Sequence, residues 1–161
     1  MSKFIKLLEK TQLTVGVICL VIFFGAIITQ IVTRYLGIPV IWTEEVANYS
    51  FIWAVFMGAA VMLNRREHFS FDFLAQKLQG KSKNYLYLVI DSVLLSFNLA
   101  IFYYGIQAVQ NFWSYNWVSL PMLKMGYVWI AIPIMGITMF IYSLSHLISS
   151  VKRLNSKEVA E

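Results

Sequence analysis

Side chains able to do chemistry are scarce in this sequence, and their positions restrict what they can do. Asp91 is the one acid inside a long apolar run, and Asn98 and Gly105 follow it at i+7 and i+14, on nearly the same face of a helix. An ionisable group in such a setting fits a proton or sodium pathway, an interhelical hydrogen bond, a nearby lysine, or contact with a partner subunit. No second acid and no basic partner accompanies Asp91 in the apolar runs, so the interhelical bond is the favoured reading. Glu44 and Glu45 follow Trp42 and Thr43. A threonine N-cap with two carboxylates in the first turn suits the positive end of a helix dipole. The alternative is a fixed acidic patch. Adjacent helical side chains point about 100° apart, so this pair does not converge on one site for acid–base catalysis.

His68 and His146 lie near helix ends on one side, an arrangement that in a helical bundle can ligate haem iron. His68, however, follows Arg65, Arg66 and Glu67 in a turn rather than within a span. Cys19 is the single cysteine, which rules out an intramolecular disulfide, a CxxC redox pair and a thiolate metal site. No phosphate-binding glycine loop, catalytic triad or metal-ligand cluster is present. The residues therefore predict no enzyme, no metal and no cofactor.

The elements that would position these groups are membrane helices. Of 161 residues, 59% are hydrophobic and 13% charged, against roughly a quarter charged in soluble domains. Apolar runs cover 13–35, 46–63, 85–113 and 127–149, and about 20 residues suffice to cross a hydrocarbon core. The third run exceeds one vertical crossing and is expected to tilt or project. The first, though preceded by Lys3, Lys6 and Lys10, is longer than a signal-peptide core and lacks a clear cleavage site, so it reads as an uncleaved span. Between the second and third runs, Phe71, Leu74, Ala75 and Leu78 share a helix face amid Arg65, Arg66, Lys77, Lys81 and Lys83. This pattern predicts an amphipathic helix in the membrane interface over about 65–83. The fold class is thus all-α: one integral membrane domain over 1–161, with four transmembrane helices and an interfacial helix. Pro133 is expected to kink the fourth span. Small residues at Ser50, Ala54 and Gly58, and at Gly25, Thr29 and Thr33, predict close helix packing.

Charge sets the orientation. Lys3, Lys6, Lys10, Arg65, Arg66, Lys77, Lys81, Lys83, Lys152, Arg153 and Lys157 fall on one side, and Arg34 and Lys124 on the other. Cytoplasmic loops carry the excess of lysine and arginine, so both termini are expected in the cytoplasm. Tyr35, Trp42, Trp113, Tyr115, Trp117, Tyr127 and Trp129 gather at the outer side as an interfacial belt or a docking surface. The net charge of +5 does not indicate nucleic acid, because no basic stretch is interleaved with aromatics; the bilayer is the partner.

An ordered set of motifs carries a resemblance. Trp42-Thr43-Glu44-Glu45, Trp53, Gly58-Ala59-Ala60 and Arg65-Arg66-Glu67-His68-Phe69-Ser70-Phe71-Asp72 are followed by Leu120-Pro121, Tyr127 and Ile132-Pro133-Ile134-Met135-Gly136. From about 42 to 136 the chain resembles the small membrane (Q-type) subunit of tripartite ATP-independent periplasmic (TRAP) transporters. It departs at Asn48 and Tyr49, where the family often has an arginine after the glutamate pair. The resemblance implies a bacterial inner-membrane protein that scaffolds a large transport subunit for sodium-coupled uptake of an organic acid, of the sialic acid or C4-dicarboxylate type. A soluble periplasmic binding protein would deliver the substrate. Trp42, Glu44 and Glu45 are the candidates for outer-side interactions, Arg65, Arg66, His68 and Asp72 for anchoring the cytoplasmic arm, and Asp91 and Asn98 for intramembrane polar contacts. The rival readings are a free-standing ion-coupled transporter, which would depend on Asp91, and a haem or quinone anchor, which would depend on the histidines.

Overall fold

A computed structural model describes residues 3–38, 40–66 and 81–158. Its helices are α1 (Lys3–Tyr35), α2 (Trp42–Arg65), α3 (Lys81–Phe112), the short α4 (Gly126–Trp129) and α5 (Ala131–Glu158). Among the described residues the one β feature is an isolated bridge between Asn116 and Lys124. Four segments are long and apolar enough to cross a membrane: Lys3–Tyr35, Trp42–Arg65, Tyr85–Phe112 and Gly126–Lys152. The all-helical, four-span architecture expected from the sequence is present. The interfacial helix expected over 65–83 falls mostly on 67–80, outside the described residues.

The helices extend past several of the apolar runs because helix formation does not stop where hydropathy does. α1 begins at Lys3 through a lysine- and leucine-rich stretch of good helix formers, and there it buries Ile5 and Gln12. It ends in a Schellman motif. Gly37 takes φ 74°, its N–H donates to Arg34 O at 3.2 Å, and Ile38 N–H donates to Thr33 O at 2.9 Å. α2 begins differently from the expected threonine cap. Its N-cap position is Ile41, with no side-chain cap bond, and Thr43 is fully buried, donating its hydroxyl to Val40 O at 2.9 Å. Thr43 lies two residues past the cap position, and its hydroxyl turns back to a carbonyl instead of capping an amide.

α4 and α5 together make the fourth span, interrupted at Ile130. Pro133 has no N–H to offer the carbonyl one turn back, so the break falls just ahead of it. Bonds from Ile130 N–H to Gly126 O (3.0 Å) and from Ile134 N–H to Ile130 O (3.2 Å) carry the chain across.

α1 packs along α2, α3 packs along α5, and α2 joins the two pairs by packing on α5. The fourth span is the most central: half of its apolar window is buried inside the chain, against 6% for α1. Hydrophobic burial gives little drive for helix association in lipid, so close contact and polar bonds must hold the helices. Both occur in the α3–α5 seam. Asp91 and Asn98 on α3 meet Ser150 and Ser143 on α5, at 3.0 Å in each case. The seven-residue spacing on both antiparallel helices then places Gly105 against Ile132 and Pro133, and Gly136 against the backbone of Phe102. Of the small-residue stripes named from sequence, Ala54 on α2 lies against Gly16 of α1, where an added Cβ would sit 3.7 Å from the Ala54 carbonyl oxygen, but the two glycines make no such approach. A Cβ on Gly25 or Gly58 would meet nothing within 4 Å. The Thr29, Thr33 and Ser50 hydroxyls bond to carbonyls of their own helices.

A second lock joins α1 to α5. Gln12 Nε2 donates to Thr138 Oγ1 at 2.8 Å, and the buried Tyr142 hydroxyl donates to Gln12 Oε1 at 2.6 Å. Tyr142→Phe leaves that oxygen buried without its donor. The expected outcome is a loss of about 1 kcal/mol, seen as a lower melting temperature in detergent.

Candidate functional site

The polar side chains of interest fall into two groups, one at each end of the bundle. The first lies at the end carrying the termini. The backbone of α2 turns at Arg66, which adopts φ 60° and donates its N–H to Leu63 O at 3.1 Å. Left-handed backbone costs a non-glycine residue about 1–2 kcal/mol. Here it is offset by what the side chain reaches. Arg66 Nη2 lies 3.0 Å from Asp91 Oδ2, which also accepts from Ser150 Oγ at 3.0 Å. Arg66 Nε donates to His146 Nδ1 at 3.4 Å, and its guanidinium carbon sits 4.9 Å from the Tyr87 ring centroid. With Nδ1 accepting, the proton of neutral His146 belongs on Nε2, which donates to Asn64 O at 3.0 Å. Both ring nitrogens are thus engaged, leaving none for a metal. Beside this cluster, Glu9 of α1 takes Arg65 Nε and Asn64 Nδ2, each at 2.7 Å.

The apolar runs offer Asp91 no basic partner, and the structure supplies one from outside them: Arg66, just past the end of α2. Arg65 and Arg66 were expected to anchor the arm that follows. The structure ties them to Glu9 and Asp91, within the bundle. His68 and Asp72 lie outside the described residues. Asn98 is fully buried, and its Oδ1 has no hydrogen-bond partner among the described residues.

The second group lies at the opposite end. Tyr115 and Met125 are joined by a backbone bond of 2.7 Å, and Trp117 N–H donates to Leu123 O at 2.9 Å, closing a small hairpin over 115–125. Glu45 fastens it to α2. Its Oε1 accepts the Val118 amide at 2.8 Å and its Oε2 the Ser119 amide at 2.7 Å. The Tyr49 and Trp117 rings meet edge-on at 4.5 Å, and Trp53 Nε1 donates to Tyr127 O at 3.0 Å. Glu45 therefore staples the hairpin to α2. Glu44 and Trp42 are exposed at its side. Glu45→Ala removes two charge-assisted bonds, and hydrogen exchange at Val118 and Ser119 is expected to quicken by roughly ten-fold or more.

The family model described as the DctQ component of tripartite ATP-independent periplasmic transporters matches residues 12–153. The chain belongs to this family. As a DctQ component with four spanning segments, it is a multi-pass protein of the inner membrane. Among similar curated proteins is the sialic acid TRAP transporter permease SiaT of Haemophilus influenzae, 24% identical over 140 residues. Another is the isethionate TRAP transporter permease DctMQ of Oleidesulfovibrio alaskensis, 23% identical over 126 residues. The matches cover 83% and 74% of this chain but span only 22% and 19% of those two proteins. The sialic acid small permease SiaQ of Vibrio cholerae is closer in size, 27% identical, with 78% of this chain and 72% of that protein covered.

Sequence reasoning missed Gln12, Thr138, Tyr142, Ser143 and Ser150 as the partners that make the polar locks of this DctQ component. A seven-residue repeat of small polar residues on the last helix, Gly136, Ser143 and Ser150, was the available signal, matching Asp91, Asn98 and Gly105 on α3.

Proposed function

We propose that this chain is the small permease subunit of a sodium-coupled TRAP transporter, a scaffold that holds a large membrane transport subunit. A soluble periplasmic binding protein would deliver the substrate. The observation that carries the reading is where the polar groups go. Each buried polar side chain among the described residues makes a hydrogen bond within the chain, and those that cross between helices tie one helix to another. Asp91, on which an independent ion pathway would depend, is held by Arg66 and Ser150. Such a protein is built to be rigid, whereas a carrier needs polar groups that exchange partners as it moves.

The substrate is an organic acid; similarity to sialic acid and isethionate permeases supports an organic anion over a cation or a neutral solute. The termini face the cytoplasm, on the strength of the lysine and arginine asymmetry. Trp42, Glu44 and the stapled hairpin then face the periplasm, where the binding protein arrives.

Reconstitution tests this. Proteoliposomes holding this chain, the large permease and the binding protein should take up substrate down a sodium gradient. Omission of this chain should abolish uptake, and the chain alone should show none. Uptake by this chain alone, or undiminished uptake without it, would refute the scaffold reading.

A further inference from the structure

α1 and α3 are the outer helices of the bundle, and most of each is uncovered: 6% and 11% of their apolar windows are buried. Their uncovered faces differ in kind. On α1, Val17, Val21, Phe24, Ile28 and Val32 form one exposed stripe, wholly apolar. On α3, Ser92, Ser96, Tyr103, Gln107 and Gln110 recur at i, i+4, i+11, i+15 and i+18 on one exposed face, where polar groups alternate with the exposed apolar Val89 and Leu99.

The two serine hydroxyls satisfy themselves on α3, donating to Leu88 O at 2.8 Å and Ser92 O at 3.1 Å. Tyr103, Gln107 and Gln110 do not: among the described residues neither the phenol hydroxyl nor either amide has a hydrogen-bond partner. Tyr103 and Gln107 follow the buried Asn98 by five and nine residues, and α3 runs on to Phe112, so both lie within the span. An amide facing lipid without a partner costs several kcal/mol, and polar side chains in spanning helices accordingly face protein.

We infer that the Ser92–Gln110 stripe of α3 is the face on which the large permease subunit docks, while the apolar stripe of α1 faces lipid. This rests on the scaffold reading above. The occupant is a polytopic permease whose contacting helix offers hydrogen-bonding side chains to the Tyr103 hydroxyl and the two glutamine amides. Two observations favour that occupant over lipid. Acyl chains cannot satisfy the Tyr103 hydroxyl or the Gln107 amide. In the relatives of which this chain spans only 22% and 19%, the matching region also shares one polypeptide with a much longer remainder.

The test is photocrosslinking in native membranes that contain the assembled transporter. A benzophenone side chain is placed in turn at Tyr103, Gln107, Val21 and Ile28, and adducts are identified by mass spectrometry. Adducts to the large permease from Tyr103 and Gln107, with none from Val21 and Ile28, are expected. Adducts from the α1 positions alone, or from no position while the large permease still co-purifies, would overturn the docking face and leave the scaffold reading standing. Failure of any large permease to co-purify would overturn both. The variant Gln107→Leu/Gln110→Leu should recover about three-fold less large permease or lower still, given the usual strength of interhelical hydrogen bonds in membranes. Unchanged recovery would overturn the role assigned to the amides.

Discussion

Replacing Arg66 by alanine is expected to destabilise the protein by about 1–3 kcal/mol, the typical cost of leaving a buried acceptor without its donor, and less than for a fully buried ion pair because Arg66 itself is partly exposed. The Asp91 side chain is only 6% exposed, and without Arg66 its carboxylate keeps a single described donor, Ser150. Asp91→Asn should cost less, because the Arg66 side chain is 36% exposed and can turn toward water or headgroups. The double variant Arg66→Gln/Asp91→Asn should recover most of the loss, since two neutral amides can bond to each other. Thermal unfolding in detergent gives the order: Arg66→Ala lowest, the double variant nearest the parent. If Arg66→Ala and Asp91→Asn proved equally mild, the ion pair would not hold the α2 terminus to α3 and α5.

Gly136→Leu is expected to be the most damaging substitution in the α3–α5 seam. A Cβ at position 136 would lie 2.8 Å from Phe102 N and 2.9 Å from its Cα. These are backbone atoms within a helix, so relief requires the two helices to separate. Overpacking of a tight interface costs about 1–3 kcal/mol, and leucine adds three carbons beyond that Cβ. Separation would also stretch the Asn98–Ser143 and Asp91–Ser150 bonds along the same seam. Gly58→Ala is the matched control: its Cβ meets nothing within 4 Å, and it should leave the melting temperature unchanged. Similar melting temperatures for the two variants would show that the seam tolerates separation.

The four spans were legible because length and hydropathy are properties of the sequence itself. Part of the seam was legible too: Asp91, Asn98 and Gly105 declare one helix face by spacing alone. Their partners were not, since serine and glycine on a membrane helix look alike whether they pack or merely occur. Gly25 and Gly58 illustrate the same ambiguity from the other side, having the expected spacing and no neighbour. Arg66 was hidden for a geometric reason. It lies beyond the helix end, and only a left-handed turn brings its side chain back to Asp91. Glu45 was placed correctly in the first turn of α2, but its bonds to Val118 and Ser119 span more than seventy residues, which no local pattern reports. Gln12, among lysines and threonines, reads as surface until α5 supplies Thr138 and Tyr142.

Gentle extraction of the tagged chain from its native membranes is the most direct test of the scaffold role. A large polytopic permease should co-purify in about equal amount. A chain that purifies alone, or as a homo-oligomer that moves solute by itself, would contradict that role.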